Sequence, residues 1–341
     1  MTLPDILGIL TRPIRTSEPR ARIARIEPLE NRALLSASFP LIADPNQPIG
    51  PVYVAPRVVS SMQALGTSEL APAKVSSSFY DGISVNSSDD ASVIIPRLRT
   101  LGVRAVRLWL GMTSWSHRDN GWAFKEVVKY KAAGFKVMVN VNCVNTASES
   151  TYRSFFNWLK KQPGIRSADM IQVGNEPNHY KSWHGGIDGY MKLLKIAWSE
   201  LHPAGVKILG AGVTYDVEAC KELKSKGYLN YVDYAAFHPY GNSPAQVIER
   251  LRGARAVYAG KPLILSEWNV RGQAAGAAWA NAIKVIRKDL AKYCDGAYYF
   301  TLIKANTMAG PSAAYTRSYQ PNGPYFDAVK SFQYMEGGSK R

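Results

Sequence analysis

"VKILGAGV", residues 206–213, is an apolar run that ends in two glycines one residue apart. Its reading decides between two ways of building a parallel sheet. A doubly wound sheet that binds a dinucleotide carries G-x-G-x-x-G in the turn after its first strand. Here the pair lacks a third glycine, and it sits in mid-chain on the fifth of eight strand-like segments. That leaves a closed (β/α)8 barrel as the architecture.

The other seven segments lie on either side of it. "SSSFYDGISVN" (76–86), "VRAVRLWL" (103–110), "FKVMVNVN" (135–142) and "DMIQVGN" (169–175) come before. "VDYAAFH" (232–238), "PLILSEW" (262–268) and "GAYYFTL" (296–302) come after. Helical patterns separate them. "WAFKEVVKYKAAG" (122–134) is amphipathic and should stop at Gly134 in a left-handed conformation. "SPAQVIERLRGARAVYAG" (243–260) places Ser243 at the N-cap, Pro244 at the first helical position and Gln246 three residues after the cap. A strand–helix unit repeated about every 30 residues implies parallel pairing with right-handed crossovers.

Residues 1–75 read differently. They hold ten of the 20 prolines and no sustained period of 2 or 3.6. We read them as a leader and Pro-rich irregular connector outside the fold, 76–335 as the catalytic domain and 336–341 as a flexible tail. "RIEPLENRALLSAS" (25–38) resembles a short LExLExRxLLS motif found near the N-termini of exported bacterial proteins, which implies an extracellular or cell-envelope location.

The 341 residues are 46% hydrophobic and 11% aromatic, enough for a large core. No apolar run approaches the roughly 20 residues that span a bilayer. Cys143, Cys220 and Cys294 are too few and too scattered for a disulfide framework or a zinc site. The net charge is +16; residues 1–75 hold 8 basic and 6 acidic side chains, so nearly all of the excess belongs to the folded part. Such a surface favours anionic partners, an acidic glycan among them. Nucleic-acid binding would rest on charge alone, with no motif behind it, and is not expected. A monomer is expected.

In a barrel, chemistry belongs to the C-terminal ends of the strands. The second strand brings Arg107 and Trp109 to one face, and the third Asn140 and Asn142. The fourth ends in Asn175 and Glu176, the sixth in His238 and Tyr240. The seventh ends in Glu267, Trp268 and Asn269, and the eighth supplies Tyr298, Tyr299 and Thr301. Two carboxylates, a fixed cation, an imidazole, amides and aromatics around one mouth suit glycosidic bond cleavage. One acid protonates the leaving oxygen while a carboxylate attacks the anomeric carbon. Aromatic faces stack on pyranose rings, and no metal or other cofactor is called for.

"NEP" (175–177) after the fourth strand and "SEW" (266–268) on the seventh resemble clan A of the glycoside hydrolases, the 4/7 retaining barrels, nearest to families 5 and 39. The resemblance spans about residues 76–335. It implies a retaining glycosidase acting on β-linked glycans, with Glu176 as acid/base and Glu267 as nucleophile. Asn175 would bond the sugar 2-hydroxyl, and Arg107 would hold Glu267 as a carboxylate. Tyr240 would touch the nucleophile, and His238 would line the same subsite. Glu176 should start protonated, its pKa raised by burial and by Glu267. Such members often carry a His near the end of the third strand and a Trp at the end of the eighth. Here Asn142 and Tyr299 stand in those neighbourhoods, and both, with Trp268, are expected among the substrate-binding or supporting residues. His179, Tyr180, Trp183 and His184, with Trp115 and His117, are candidates for further subsites or for loop packing. A transglycosylase, a non-catalytic carbohydrate-binding barrel and a metal-dependent isomerase barrel are the competing readings.

Overall fold

A computed structural model describes residues 79–86, 88–112, 121–143, 147–180, 182–271, 276–303 and 312–330. The expected leader and tail lie outside them, as do the 25–38 motif, Trp115 and His117.

Eight parallel segments form where the sequence places them. They are β1 (Tyr80–Ser84), β2 (Ala105–Gly111), β3 (Lys136–Asn142), β4 (Met170–Val173), β7 (Ala235–His238), β8 (Leu263–Trp268) and β9 (Gly296–Tyr299), with the fifth segment written as two short strands. These are β5 (Ile208–Leu209) and β6 (Val213–Thr214), and the break between them is the glycine pair of the opening stretch. Ile208 and Leu209 pair with Ile171 and Gln172 of β4, while Val213 and Thr214 pair with Phe237 and His238 of β7. One broken strand therefore bonds to both neighbours, and with β1 paired to β9 the ring closes. This is a (β/α)8 barrel.

The helices between the strands follow local signals. The first, α1 (Ala91–Leu101), starts at Asp90, whose carboxylate accepts from Ser92 N, and stops at Gly102 with φ 75°. The second, α2 (Gly121–Ala132), is followed by Gly134 at φ 90°, the expected terminator. Next come α3 (Glu149–Leu159), α4 (Pro163–Ser167), α5 (Gly186–Leu201) and α6 (Val217–Ser225). In α7 (Pro244–Val257) the Ser243 hydroxyl accepts from Gln246 N at 3.2 Å. The Gln246 side chain returns to Asn242 N, one residue earlier than a standard capping box. The last two are α8 (Ala277–Tyr293) and α9 (Gly323–Lys330). No described helix is long and apolar enough to cross a membrane.

The strands' period of two separates an outer core, packed against the helices, from an inner one. The inner floor takes one residue from each barrel strand: Tyr80, Ala105, Met138, Met170, Leu209, Ala236, Ile264 and Tyr298. Large side chains beside small ones fill the taper, so the barrel is plugged below the site. Two residues further along the same faces, the apolar floor gives way to Arg107, Asn140, Gln172, His238 and Ser266, all fully buried. A polar layer set on an apolar plug faces the mouth.

Candidate active site

Glu176 leaves β4 through a backbone that few residues adopt. Gly174 has φ 75°, and Glu176 itself has φ 45°, a left-handed conformation that costs a non-glycine residue about 1–3 kcal/mol. The surroundings over-determine it. Glu176 N donates to Gly212 O at 3.1 Å, and the Asn178 amide exchanges two hydrogen bonds with the Thr214 backbone. The β4 loop is thereby tied to the broken fifth strand.

Glu267 reaches the mouth by a different device. Along β8, Leu265 pairs with Ala297 but Trp268 pairs with Tyr299, so β8 holds one extra residue. This β-bulge lets the consecutive residues Ser266 and Glu267 both turn inward, where strict alternation would have sent one of them to the helices.

Arg107 organises the site from beneath. It is fully buried, and its Nη1 lies 2.8 Å from Glu267 Oε1. Its Nε donates to Gln172 Oε1 and its Nη2 to Asn175 Oδ1, both at 3.1 Å. The guanidinium lies over Trp109, 4.1 Å from the ring centroid. Glu267 Oε2 accepts from the Tyr240 hydroxyl at 2.7 Å. Burial, reinforced by the Glu267 charge, pushes that phenol well above its ordinary pKa, so it remains a donor.

His238 links the two carboxylates. Its Nδ1 is 3.2 Å from Glu176 Oε1 and 4.0 Å from Glu267 Oε2, and its Nε2 is 2.9 Å from Ser266 Oγ. The ring occupies the space a side chain at position 212 would need; a Cβ on Gly212 would fall within it. Ser182 donates to the other Glu176 oxygen at 3.1 Å.

These contacts correct one expectation. Burial does push the Glu176 carboxyl up. The hydrogen bond and charge of His238, with the Ser182 hydroxyl and the His179 charge, pull it further down, so the net shift is below the ordinary carboxylate value. The Ser266 hydroxyl can donate to Nε2 or accept from it. The His238–Ser266 pair can therefore serve Glu176 either as a carboxylate, with the proton on Nδ1, or as an acid that donates to Nδ1.

Arg107, Asn175, Glu176, His238, Tyr240 and Glu267 thus converge. Asn142 stands exposed at the end of β3, and among the described residues no hydrogen bond joins it to them. Trp268 and Tyr299 do not join the site. Both are fully buried in the outer core, edge to face at 5.2 Å, and the Tyr299 hydroxyl donates to Ser312 O. They follow the inward-facing Glu267 and Tyr298, and alternation turns them to the helices. Sequence reasoning missed Gln172, Ser182, Gly212 and Ser266. Gln172, the polar residue inside apolar "MIQV", could have been found. Ser266 depends on the bulge and Ser182 on a loop, and neither carries a sequence signal.

Along the rim, His179 and Tyr180 stack at 5.7 Å, and Tyr180 is 68% exposed. Trp183 is buried with its indole N–H on Gly186 O, so it packs the loop. Beside them lies a cavity of 480 Å³ that Tyr180, His184 and Asp216 help to line. Glu176, His238 and Glu267 also offer ligand atoms within 4.8 Å of one another, a spacing a cation could use. Both Glu267 oxygens are already taken, one by a guanidinium, which opposes a second cation there.

No family model matches the sequence, and no curated protein is significantly similar to it. Solved structures share the fold. A GH128 (subgroup I) endo-β-1,3-glucanase from Amycolatopsis mediterranei, in complex with laminaritriose, superposes with a TM-score of 0.52 at 15% identity, over 74% of this chain and 98% of that one. A family 30 subfamily 8 xylanase from Clostridium acetobutylicum gives 0.56 at 14% identity, over 76% and 72%. An endo-1,4-β-D-mannanase from Thermotoga petrophila gives 0.54 at 13%, over 75% and 99%. The chain has the barrel fold of these clan A glycoside hydrolases.

Proposed function

We propose that the chain is a retaining glycoside hydrolase acting on β-linked glycans, with Glu267 as nucleophile and Glu176 as acid/base. The observation that carries this reading is the approach of the two carboxylates, whose nearest oxygens lie within 4.8 Å. Retaining enzymes hold their carboxyl groups about 5–5.5 Å apart, whereas inverting enzymes need roughly 6.5–9.5 Å to admit a water. The surroundings divide the roles. Glu267, paired with Arg107 and bonded by Tyr240, is held in one orientation for attack. Glu176, bonded to His238 and Ser182, belongs to a network that can carry a proton or release it.

In the first step Glu267 attacks the anomeric carbon while Glu176 gives its proton to the departing oxygen. The glycosidic bond breaks and an ester to Glu267 forms. In the second step Glu176 takes a proton from water, the resulting hydroxide attacks the same carbon, and the ester bond breaks. Asn175 spends its carbonyl on Arg107 and Gln172 and turns its amide N–H₂ to a sugar hydroxyl. Exposed Tyr180 and Tyr215, 68% and 39% accessible on neighbouring loops, offer faces for further sugar rings. Export, on the strength of the 25–38 motif, fits an enzyme whose substrate is a polymer.

Azide rescue tests the assignment. With a β-linked activated substrate, Glu176→Ala should yield the β-glycosyl azide and Glu267→Ala the α-glycosyl azide. The same anomer from both variants would contradict the division of roles.

A further inference from the structure

We propose that the mouth contains an anion subsite, formed by Arg250 and Arg271 beside Tyr240, that takes an acidic substituent of the glycan; this rests on the glycosidase reading above. A cavity of 150 Å³ lies there, lined by Tyr215, Tyr240, Gly241, Asn242, Arg250 and Arg271. Two of these six residues are arginines and none is a carboxylate. The Arg271 guanidinium lies over the Tyr240 ring, 4.6 Å from its centroid, and that of Arg250 lies 5.4 Å from the centroid of Tyr215. Arg250 donates through Nη1 to Tyr240 O, and no described carboxylate forms a salt bridge with it. The Tyr240 hydroxyl is the donor to Glu267. A single side chain therefore separates the arginine pair from the proposed nucleophile.

The acids of the neighbouring loop and of α6 are engaged locally. Asp216 spends Oδ1 on the first turn of α6, accepting from Glu218 N and Ala219 N. Glu218 pairs with Lys221 at 2.7 Å and Glu222 with Lys226 at 3.7 Å. A sugar stacked on Tyr215 would put a ring carboxylate or sulfate between two planar guanidinium forks, which match such oxyanions bidentately. The chain's overall +16 would attract an acidic polymer without choosing where it binds. The arginine pair fixes the place. A purely structural role, with Arg250 and Arg271 only propping Tyr240, predicts no preference for charge.

The test is equilibrium binding to the full-length Glu176→Gln protein by calorimetry. The probes are β-linked oligoglucuronate, sulfated cello-oligosaccharide and neutral cello-oligosaccharide of equal length. At least one anionic probe should bind about 10- to 100-fold tighter than the neutral one, the range expected for hydrogen bonds to a charged group. Tighter binding of the oligoglucuronate identifies a carboxylate ligand, and tighter binding of the sulfated probe a sulfate ester. Arg250→Gln and Arg271→Gln should each remove most of that preference, while Lys284→Gln on the exposed face of α8 should not. Should Arg250→Gln fail to fold, Arg271→Gln alone decides. Equal binding of neutral and anionic probes would overturn the proposal, and so would a preference that survives Arg271→Gln. Hydrolysis is read separately with wild-type protein: arginine-dependent binding without turnover would leave the subsite standing and remove the glycosidase reading.

Discussion

Nδ1 of His238 lies 3.2 Å from Oε1 of Glu176, while the same ring's Nε2 is held by Ser266, the residue before Glu267. The imidazole therefore couples the proposed acid/base to the strand that carries the proposed nucleophile. Its place in the barrel depends on Gly212, the second glycine of the pair at which the fifth strand breaks.

That coupling sets a pH signature. Burial raises the Glu176 pKa, and His238 is the largest influence holding it down. His238→Ala should leave burial dominant, so Glu176 keeps its proton to higher pH. The alkaline limb of kcat/KM should then move to higher pH, alongside a lower maximal rate. A limb that stays in place would show that another group controls it.

The same shift bears on stability. Because the folded-state pKa of Glu176 is depressed, its contribution is fully present above the ordinary carboxylate value and is lost as pH falls through the depressed one. The stability advantage of wild type over Glu176→Gln should therefore shrink as pH drops below about 4.3. Denaturant unfolding at a series of pH values measures this; an advantage that grows on acidification would contradict the direction of the shift.

Removing one partner of the buried Arg107–Glu267 pair should be costly, because the other charge stays in the interior. Arg107→Met should lose about 3–5 kcal/mol of folding stability. The Arg107→Met/Glu267→Gln double variant should recover part of that, since the uncompensated carboxylate is gone. Additive losses in the double-mutant cycle would mean that the two charges are not coupled.

A smaller change should be nearly as damaging to turnover. In Gly212→Ala the new Cβ meets the His238 ring, and overpacking of this kind costs about 1–3 kcal/mol. The ring must shift away from Glu176 or Ser266, so kcat should fall far more than the loss of stability alone explains. A Gly212→Ala protein with wild-type kcat would show that His238 does not need this position.

Much of this arrangement was legible in the sequence, and what was not has physical causes. The eight strand segments could be read because each is an apolar run bounded by polar or glycine punctuation, and strand ends are where a barrel carries its chemistry. Glu176, Glu267, Arg107, Asn175, His238 and Tyr240 followed from that rule. Trp268 and Tyr299 misled because each stands one residue past an inward-facing neighbour, and facing is settled by a pleat and a bulge that adjacent letters do not reveal. The glycine pair at 210 and 212 was read by what it lacks, a phosphate turn. The positive role of Gly212, making room for His238, is a contact between residues 26 apart in the chain, and Gly210 makes room for Tyr228. The direction of the Glu176 shift was likewise hidden, because Ser182 and His238 meet it only in three dimensions.

The central claim is double displacement by Glu176 and Glu267, and the anomer first released by the wild-type enzyme tests it most directly. Hydrolysis of a β-linked substrate followed by proton NMR before mutarotation should show the β-hemiacetal appearing first, with the α form growing in later. Initial release of the α-anomer would mean inversion, and Glu267 could not then be the nucleophile.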